Sequence, residues 1–274
     1  MDKTVLIIEM LFPPHCLFCG ELKPFRQECP GCVEIEKKHR ITGEDRLNYQ
    51  MDERASENLS GVISSYVYTE ETGNVISRYK FRRNYTMARE MAKIMAVDVM
   101  ELLGKDCCDV VLSVPAQKKR TNRHSELIAS RMAKTLSKPH ISGVLVKTKD
   151  TEPQHDLSFE ERAQNLKGAF SVLGDSVKGK RVLLCDDVMT SGNTLNECAK
   201  ALLEAGAVKV MAATFSATSS KTVKTNPDGS DKPDKGTAKK RGRPPGKSKG
   251  KKAKTSSAKG KTEGQSKKSK AKEE

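Results

Sequence analysis

The sequence lacks a hydrophobic run long enough to cross a membrane. A spanning helix needs about 18 or more consecutive apolar residues, and the best apolar stretch near the amino terminus, residues 5–8, is stopped by Glu9. A basic start followed by a longer apolar core and a small-residue cleavage site, as in a secretory signal, is not visible either. We therefore expect no membrane insertion and a cytoplasmic location.

The chain is also poor in apolar residues, which make up 36% of it against about 45–50% in a typical globular domain. The deficit is concentrated at the carboxyl terminus. Residues 221–274 carry 19 of the 50 basic and 6 of the 35 acidic side chains, which accounts for +13 of the net charge of +15. Burial of so few apolar groups cannot offset the entropic cost of ordering. We expect a disordered Lys-rich tail attached to a nearly neutral globular body.

In a reducing compartment, clustered cysteines indicate metal binding more often than disulfides. Four of the eight cysteines form a CxxC–nine residues–CxxC arrangement: Cys16, Cys19, Cys29 and Cys32. Two such tight turns supply four thiolates for a tetrahedral Zn²⁺ site with no open position, so we predict a structural zinc site. A redox dithiol pair is the alternative. The other four cysteines lack ligand spacing and are interpreted as buried small apolar residues: Cys107, Cys108, Cys185 and Cys198.

Beyond residue 58 the apolar pattern predicts an α/β domain. Apolar runs predict strands at residues 62–68, 110–114, 143–146, 181–185 and 208–215. Helical periodicity predicts helices near residues 74–83, 86–103, 125–136 and 194–204, and the second of these has a methionine-rich face that is typical of a core. Apolar strands separated by helices indicate a parallel sheet covered on both faces, and such sheets bind ligands beyond the carboxyl ends of their strands.

The clearest functional pattern runs from a buried strand into a helix over residues 182–194. Asp186 and Asp187 sit at the predicted strand end. The helix start that follows carries hydroxyl groups around a glycine: Thr190, Ser191, Gly192, Asn193 and Thr194. Unsatisfied N–H groups at a helix start bind phosphate, and paired carboxylates accept hydrogen bonds from sugar hydroxyls or hold a divalent ion. This order predicts a sugar-phosphate site; the alternative is a plain turn in which Thr190 or Ser191 caps the helix.

This stretch resembles the phosphoribosyl-diphosphate (PRPP) binding motif of type I phosphoribosyltransferases, and the surrounding chain resembles the ComF family within them. Residues 11–14 (Leu-Phe-Pro-Pro) and the four cysteines are similar to the amino-terminal zinc module of that family, and residues 78–82 to its Lys-aromatic-Arg helix. A spaced signature also matches, at Pro153, Gln154, Leu157, Arg162, Asn165, Gly168, Ala169 and Phe170. The resemblance covers about residues 11–216.

The resemblance implies a type I phosphoribosyltransferase fold, with a parallel sheet core flanked by helices. It divides the body of the chain into a zinc-binding knuckle and linker (residues 11–58) and a phosphoribosyltransferase-like domain (59–220), which precede the tail that composition indicates (221–274). It also implies Mg²⁺ with PRPP as ligand, beside the structural Zn²⁺.

By position, the resemblance implies that Asp186 and Asp187 contact the ribose hydroxyls of PRPP and that residues 190–194 bind its 5-phosphate. The loop after the first core strand would face the diphosphate and Mg²⁺ through Val114, Pro115, Lys118, Lys119 and Arg120. Three consecutive cations independently suit a diphosphate, although a solvated basic turn is the alternative. Residues 149–167 would close over the site with Arg162 as their cation; otherwise Arg162 belongs to an ordinary surface loop. Asp186, Asp187 and Arg162 are thus the candidate catalytic residues.

Residues 120–124 depart from the family. They read Arg-Thr-Asn-Arg-His where the family usually has Arg-Gly-Phe/Tyr-Asn-Gln. The glycine and the aromatic residue are missing from the segment that would shape the diphosphate loop. This difference leaves catalytic turnover open.

The tail contains a signal for nucleic-acid binding. Its residues 239–247 place an Arg-Gly-Arg-Pro centre between lysines, and this centre resembles an AT-hook: Arg241, Gly242, Arg243 and Pro244. Glycine lets an extended backbone lie deep in the narrow minor groove of A·T tracts, along which the arginines project. A generic polycation that binds nucleic acid without sequence preference is the alternative.

Two functions are therefore predicted. As an enzyme, the protein would transfer the phosphoribosyl group of PRPP to an acceptor. As a non-catalytic module, it would use the same fold to bind nucleic acid or sense a phosphorylated effector. The resemblance links both to bacterial competence, with DNA and proteins of the DNA-uptake machinery as partners.

Overall fold

A parallel sheet organises the part of the chain that the computed structural model describes, namely residues 15–22, 29–48, 57–82, 85–116, 124–149 and 165–218. Its strands are β1 (Val62–Val67), β2 (Val110–Ser113), β5 (Arg181–Met189) and β6 (Lys209–Ala217). They lie in the order β1-β6-β5-β2, and every neighbouring pair is parallel. A separate antiparallel pair is formed by β3 (Leu145–Lys147) and β4 (Phe170–Val172). All described residues lie in one compact unit, Met1–Pro233.

The helices of this unit are connected to the strands in alternating order. The short α1 (Val33–His39) and a 3₁₀ turn (Gly43–Arg46) precede β1. Two helices follow β1, α2 (Glu70–Arg82) and α3 (Tyr85–Leu103), and α4 (His124–Leu136) follows β2. Between β5 and β6 lies α5 (Asn193–Glu204). No helix in the described part of the chain is both long and apolar enough to cross a membrane.

Helices cover both faces of the sheet, as its sequence pattern predicts. Successive side chains of a strand point to opposite faces, so Val182 and Leu184 of β5 enter one core and Leu183 and Cys185 the other. The core around Leu183 contains the apolar faces of α3 and α4. The core around Leu184 contains α5 and the β3–β4 pair.

The methionine-rich face of α3 is confirmed as core. Met87, Met91 and Met95 recur every four residues and are at most 5% exposed. Met is unbranched and adaptable, so it fills the irregular space between this helix and the sheet. The three-residue β4 was not predicted, because its strand conformation depends on antiparallel pairing with the distant β3. The prediction that β5 ends at residue 185 is wrong. β5 continues through Met189 because its pairing with β6 extends to Met189 opposite Ala217.

Three of the four remaining cysteines are buried as predicted: Cys108, Cys185 and Cys198. The prediction for Cys107 is wrong, because this residue is only half-buried, in the loop between α3 and β2. The pKa of its thiol is lowered to about 7, chiefly by a hydrogen bond from Cys108 and further by its own backbone and by the Lys138 and Arg181 charges.

Several predicted functional residues lie outside the described residues, namely Lys118, Lys119, Arg120, Arg162, Arg241, Gly242, Arg243 and Pro244. Their assignments stay predictions. The boundaries of the three predicted segments, at residues 58 and 220, stay predictions as well.

Candidate functional site

The four cysteines of the two CxxC turns, referred to below as the cysteine cluster, come together in space. Their Sγ atoms all lie within 4.8 Å of one another, and those of Cys19 and Cys29 are 3.6 Å apart. Sulfur ligands about 2.3 Å from a tetrahedral Zn²⁺ are about 3.8 Å apart, so the donor set and its spacing fit zinc. The cluster can therefore hold a metal ion such as zinc.

Local backbone geometry explains why the sulfurs of each CxxC converge. The N–H of Gly20 donates to the carbonyl of Cys16 at 2.9 Å, and Gly20 has a φ of 82°, a left-handed conformation that favours glycine. In the second turn the N–H of Cys32 donates to the carbonyl of Cys29 at 2.9 Å, and α1 begins at the next residue. Both turns are thus closed by the backbone itself.

Asp186 and Asp187 were predicted at the end of their strand, but they lie within β5, two to three residues before its last residue, Met189. The carboxylate of Asp186 accepts a hydrogen bond from the Ser125 hydroxyl at 2.8 Å and one from the Asp187 N–H at 2.9 Å, both at Oδ1. Burial, and secondly the charge of Asp187, raise the pKa of Asp186 to about 7, while the two hydrogen bonds act in the opposite direction. One carboxyl of the pair is therefore near its titration midpoint at neutral pH.

Asp187 is buried, at 7% exposure, and has a cationic partner. Lys80 Nζ, on the last turn of α2, lies 2.8 Å from Asp187 Oδ2. The adjacent Tyr79 is fully buried and donates its hydroxyl to the carbonyl of His124 at 2.7 Å. Burial, and secondly the charge of Asp187, raise the pKa of the Tyr79 hydroxyl well above its usual range. The Lys80–Asp187 pair thus places one half-exposed cation beside the carboxylates.

The segment after β5 forms the start of α5 without a side-chain cap. Gly192 is the N-cap residue with a φ of 82°, and no side chain accepts from the first turn. The alternative interpretation, a plain turn in which Thr190 or Ser191 caps the helix, is therefore not observed. The end of β6 supports the segment, since Thr218 donates its N–H to the Met189 carbonyl at 3.0 Å and its hydroxyl to the Thr190 carbonyl at 3.2 Å.

The same helix start holds an unpaired buried donor. Asn193 is 8% exposed, and its Nδ2 has no hydrogen-bond partner. Leaving a buried donor unpaired costs about 1–3 kcal/mol. Together with the N–H groups of the first turn, which have no intrahelical acceptor, this donor suits an anion that binds at Thr190–Thr194.

The other predicted contacts divide into two groups. Val114 and Pro115 directly follow β2, and the Val114 N–H donates to the carbonyl of Cys185 at 3.0 Å, which places this loop beside β5. The cations Lys118, Lys119 and Arg120, and Arg162 in the segment expected to close over the site, lie outside the described residues. The structure therefore brings together the β5 carboxylates, the α5 start and the first residues after β2.

Sequence reasoning missed two residues of this site, Ser125 and Lys80. Ser125 was interpreted only as a helix start, and residues 78–82 only as a family helix. A serine in the first turn of α4, which follows a strand of the parallel sheet, was the available signal for Ser125. The pairing of Lys80 depends on how α2 crosses the sheet, which the pattern does not encode.

The combined geometry has a definite chemical character. Acceptor oxygens of Asp186 and Asp187 lie next to backbone donors at Thr190–Thr194, with one lysine amine between α2 and β5. Carboxylates bind hydroxyl groups or divalent cations, and helix starts bind phosphate. One ligand that carries both a polyol and a phosphate would use both halves of the site.

Comparison with known proteins gives a domain match over the part of the chain that contains β5 and α5. A family model described as a phosphoribosyl transferase domain matches residues 121–238. The chain is 28% identical to Competence protein F of Haemophilus influenzae over 207 residues, which covers 72% of this chain and 82% of that protein. It is 31% identical to the DNA utilization protein YhgH of Salmonella typhimurium over 156 residues, covering 54% of this chain and 68% of that protein.

A solved structure is also similar in part. The glutamine phosphoribosylpyrophosphate amidotransferase of B. subtilis is 24% identical over 46% of this chain, with a TM-score of 0.33. The chain spans about a quarter of that enzyme, 25% of its length. The family match and the helix-covered parallel sheet together confirm the predicted fold class, that of the type I phosphoribosyltransferases.

Proposed function

We propose that this chain, which belongs to the ComF family of competence and DNA-utilization proteins, binds PRPP with Mg²⁺ at the β5–α5 site. The observation that carries the proposal is the adjacency of two β5 carboxylates to an uncapped helix start. Asp186 and Asp187 precede the N-cap Gly192 by only a few residues, and the buried Asn193 amide there lacks a partner. The family match over residues 121–238 supports the same ligand class.

Each part of the ligand has a candidate partner. Asp186 and Asp187 would accept hydrogen bonds from the ribose hydroxyls. The backbone and side chains of the α5 start would hold the 5-phosphate: Thr190, Ser191, Gly192, Asn193 and Thr194. The loop after β2 would meet the diphosphate: Val114, Pro115, Lys118, Lys119 and Arg120. Arg162 would approach from the segment between β3 and β4.

As an enzyme, the protein would break the bond between the ribose C1 and the diphosphate oxygen and form a bond from C1 to an acceptor. The diphosphate leaves with the bonding electrons, and Mg²⁺ supplies charge neutralisation there when bound. The protein's own residues would hold the ribose in place through Asp186 and Asp187 and orient the 5-phosphate at the start of α5. Closure of residues 149–167 would exclude water from C1.

The test is calorimetric titration of Mg·PRPP into the full-length protein at near-physiological salt. We expect saturable binding to the wild type and a loss of at least about 100-fold in affinity for Asp186→Asn/Asp187→Asn, because each carboxylate makes charge-assisted hydrogen bonds worth about 1.5–3 kcal/mol. Release of diphosphate on addition of candidate acceptors would then measure turnover.

The matched control is Asp45→Asn/Asp175→Asn, which removes two exposed carboxylates elsewhere. Both double variants leave the basic tail intact, so nonspecific attraction of PRPP to it is the same in each. Equal affinities of the two double variants would refute a PRPP site at β5.

A second candidate function, DNA binding, rests on the charge of the tail and on the names of the relatives. The tail carries +13 of the net charge and contains Arg241, Gly242, Arg243 and Pro244. We propose that this segment contacts the minor groove of A·T-rich DNA in the manner of an AT-hook. Together with the core, the tail would act with DNA-uptake proteins in the cytoplasm.

Two charge-matched variants separate minor-groove recognition from general attraction. Arg241→Ala/Arg243→Ala and Lys247→Ala/Lys249→Ala each remove two positive charges. We expect both to lower the slope of log affinity against log salt by about 1.8, since each phosphate contact contributes about 0.9. Only the arginine variant is expected to lose the preference for an A·T-rich over a G·C-rich duplex. Fluorescence anisotropy measures the salt dependence and the sequence preference of binding. If the two variants behaved identically, the tail would bind DNA only as a generic polycation.

A further inference from the structure

The last turn of α2 lies between the cysteine cluster and the β5 carboxylates. Arg78 faces the cluster and Lys80 faces Asp187, in agreement with the helical rule that residues two apart point to different sides. Tyr79, between them, is fully buried and donates to the carbonyl of His124 at the start of α4. One helical turn therefore touches three separate parts of the domain.

Arg78 binds the backbone of the first CxxC turn. Its Nη2 donates to the carbonyls of Leu17 and Phe18, the two residues between Cys16 and Cys19, and the second of these bonds is 2.6 Å long. Its Nε also donates to the carbonyl of Asn74 on α2 itself, at 3.4 Å. The guanidinium thus joins the helix to the turn that presents two of the four sulfurs.

Gly20 makes room for this contact. A Cβ atom at Gly20 would lie 2.9 Å from Arg78 Nη1, closer than real Cβ atoms come to a neighbour. The glycine therefore serves both the left-handed backbone of the turn and the approach of the arginine. Leu17 and Phe18 add apolar packing, since Leu17 is buried in the core and the Phe18 ring meets Tyr66 edge-on at 5.9 Å.

On the opposite side, Lys80 Nζ lies 2.8 Å from Asp187 Oδ2. The backbone of the last turn of α2 sets the position of the Lys80 Cα. A rotation or shift of that turn would therefore move the amine relative to Asp187. The first CxxC turn holds that helix turn through Arg78. The cysteine cluster is thus linked to the carboxylate site by the Arg78 hydrogen bonds, the last turn of α2 and the Lys80–Asp187 ion pair.

We infer that Arg78 is a positioning residue that couples metal occupancy of the cysteine cluster to ligand affinity at Asp187. Bound Zn²⁺ fixes the carbonyls of Leu17 and Phe18, Arg78 transmits that geometry to the last turn of α2, and Lys80 is thereby held at the β5 site. The identity of the ligand, Mg·PRPP, rests on the proposed function. Coupling of this kind is reciprocal, so the ligand would tighten zinc binding by the same factor.

The arginine joins helix and turn because its Nη2 donates to both carbonyls of the turn while its Nε donates to the Asn74 carbonyl of α2. Lysine at this position would keep the charge and one donor nitrogen for the turn but would lose the separate Nε donor. Arg78→Lys should therefore keep part of the coupling and Arg78→Gln should lose it. The matched control is Arg89→Gln on α3, which removes a half-exposed arginine that forms an ion pair with the neighbouring Glu90.

The experiment measures Mg·PRPP affinity and backbone hydrogen exchange on the full-length protein, with and without zinc. In the wild type, zinc removal by a chelator should lower the affinity about tenfold, within the usual range of coupling between sites, and should speed exchange at residues 79–82. Zinc-loaded Arg78→Gln should show the same loss, with no further effect of the chelator. Arg89→Gln should behave as the wild type. Exchange at β2 reports whether the core stays folded.

Three outcomes decide the inference. Wild-type affinity and exchange in zinc-loaded Arg78→Gln would overturn it. If zinc removal unfolds the core, the zinc-loaded variants still decide. A larger loss of Mg·PRPP affinity in Arg78→Gln than in Arg78→Lys would support the inference, and no loss in either variant would overturn it. If the wild type binds no Mg·PRPP, the proposed function fails on its own. Hydrogen exchange at residues 79–82 then decides the coupling: faster exchange after zinc removal would support it, and unchanged exchange would overturn it.

Discussion

Replacing Asp98 by alanine is expected to lower the free energy of unfolding by about 3–5 kcal/mol, the usual effect of removing one partner of a buried ion pair. Asp98 is fully buried on α3 and accepts hydrogen bonds from three side chains. Arg40 donates to both of its oxygens at 2.8 and 2.5 Å, Arg46 donates at 2.6 Å, and the Ser65 hydroxyl donates at 2.6 Å. Without the carboxylate, the largely buried Arg40 guanidinium loses this counter-charge, and Arg46 keeps only its pairing with the exposed Glu101 among these contacts.

Urea unfolding measures this effect, and Glu101→Ala is the matched control. Glu101 also pairs with Arg46, at 2.8 Å, but its side chain is 57% exposed. Exposed pairs contribute about 0–1 kcal/mol, so the control should change stability little. Asp98→Asn, which keeps the shape and part of the hydrogen bonding, should fall between the two. A loss below about 1 kcal/mol for Asp98→Ala would mean that water replaces the carboxylate.

This ion cluster explains how the segment after the cysteine cluster is attached to the sheet. Arg40 also donates to the carbonyl of Ser65 on β1 and lies over the Tyr66 ring at 5.0 Å. Glu36 on α1 accepts a hydrogen bond from the Tyr66 hydroxyl at 2.9 Å. Charges and hydrogen bonds thus bind residues 33–48 to β1 and α3.

The sequence could predict the parts of this protein that depend on local pattern. Strand or helix type follows from the spacing of apolar residues within one short stretch of sequence. This holds for the apolar runs of β1, β2, β5 and β6 and for the periodic methionines of α3. The order Asp186–Thr194 was equally readable, because the carboxylates and the helix start belong to one continuous stretch.

What the pattern could not predict depends on distant parts of the chain. Lys80 reaches Asp187 and Ser125 reaches Asp186 only after α2 and α4 have packed on the sheet. The same applies to the end of β5, which is set by its pairing with β6. Asp98 was a missed signal of another kind: a carboxylate within the methionine-rich face of α3 indicates a buried partner, since buried charges are paired.

Asp186 is expected to make the folded protein less stable as the pH rises toward neutrality. Its pKa is raised from 3.8 to about 7 in the folded protein, chiefly by burial. Between these values the folded state holds one proton more than the unfolded state, so its stability contribution is complete below about pH 4 and is lost as the pH rises through 7. The expected slope is about −1.4 kcal/mol per pH unit between pH 5 and 6.5, and it flattens above pH 7.

Urea unfolding of the wild type and Asp186→Asn across pH 5–8 isolates this contribution, because titration of the histidines and thiols is common to both proteins. The difference in their free energies of unfolding should follow the stated slope. Asp175→Asn, at an exposed position, should track the wild type. In Asp187→Asn the slope should end at a lower pH, since the charge of Asp187 is the second cause of the raised pKa. Parallel curves for the wild type and Asp186→Asn would mean that Asp186 is already ionised in the folded protein at pH 5, with the Ser125 hydroxyl and the Asp187 N–H compensating for its burial.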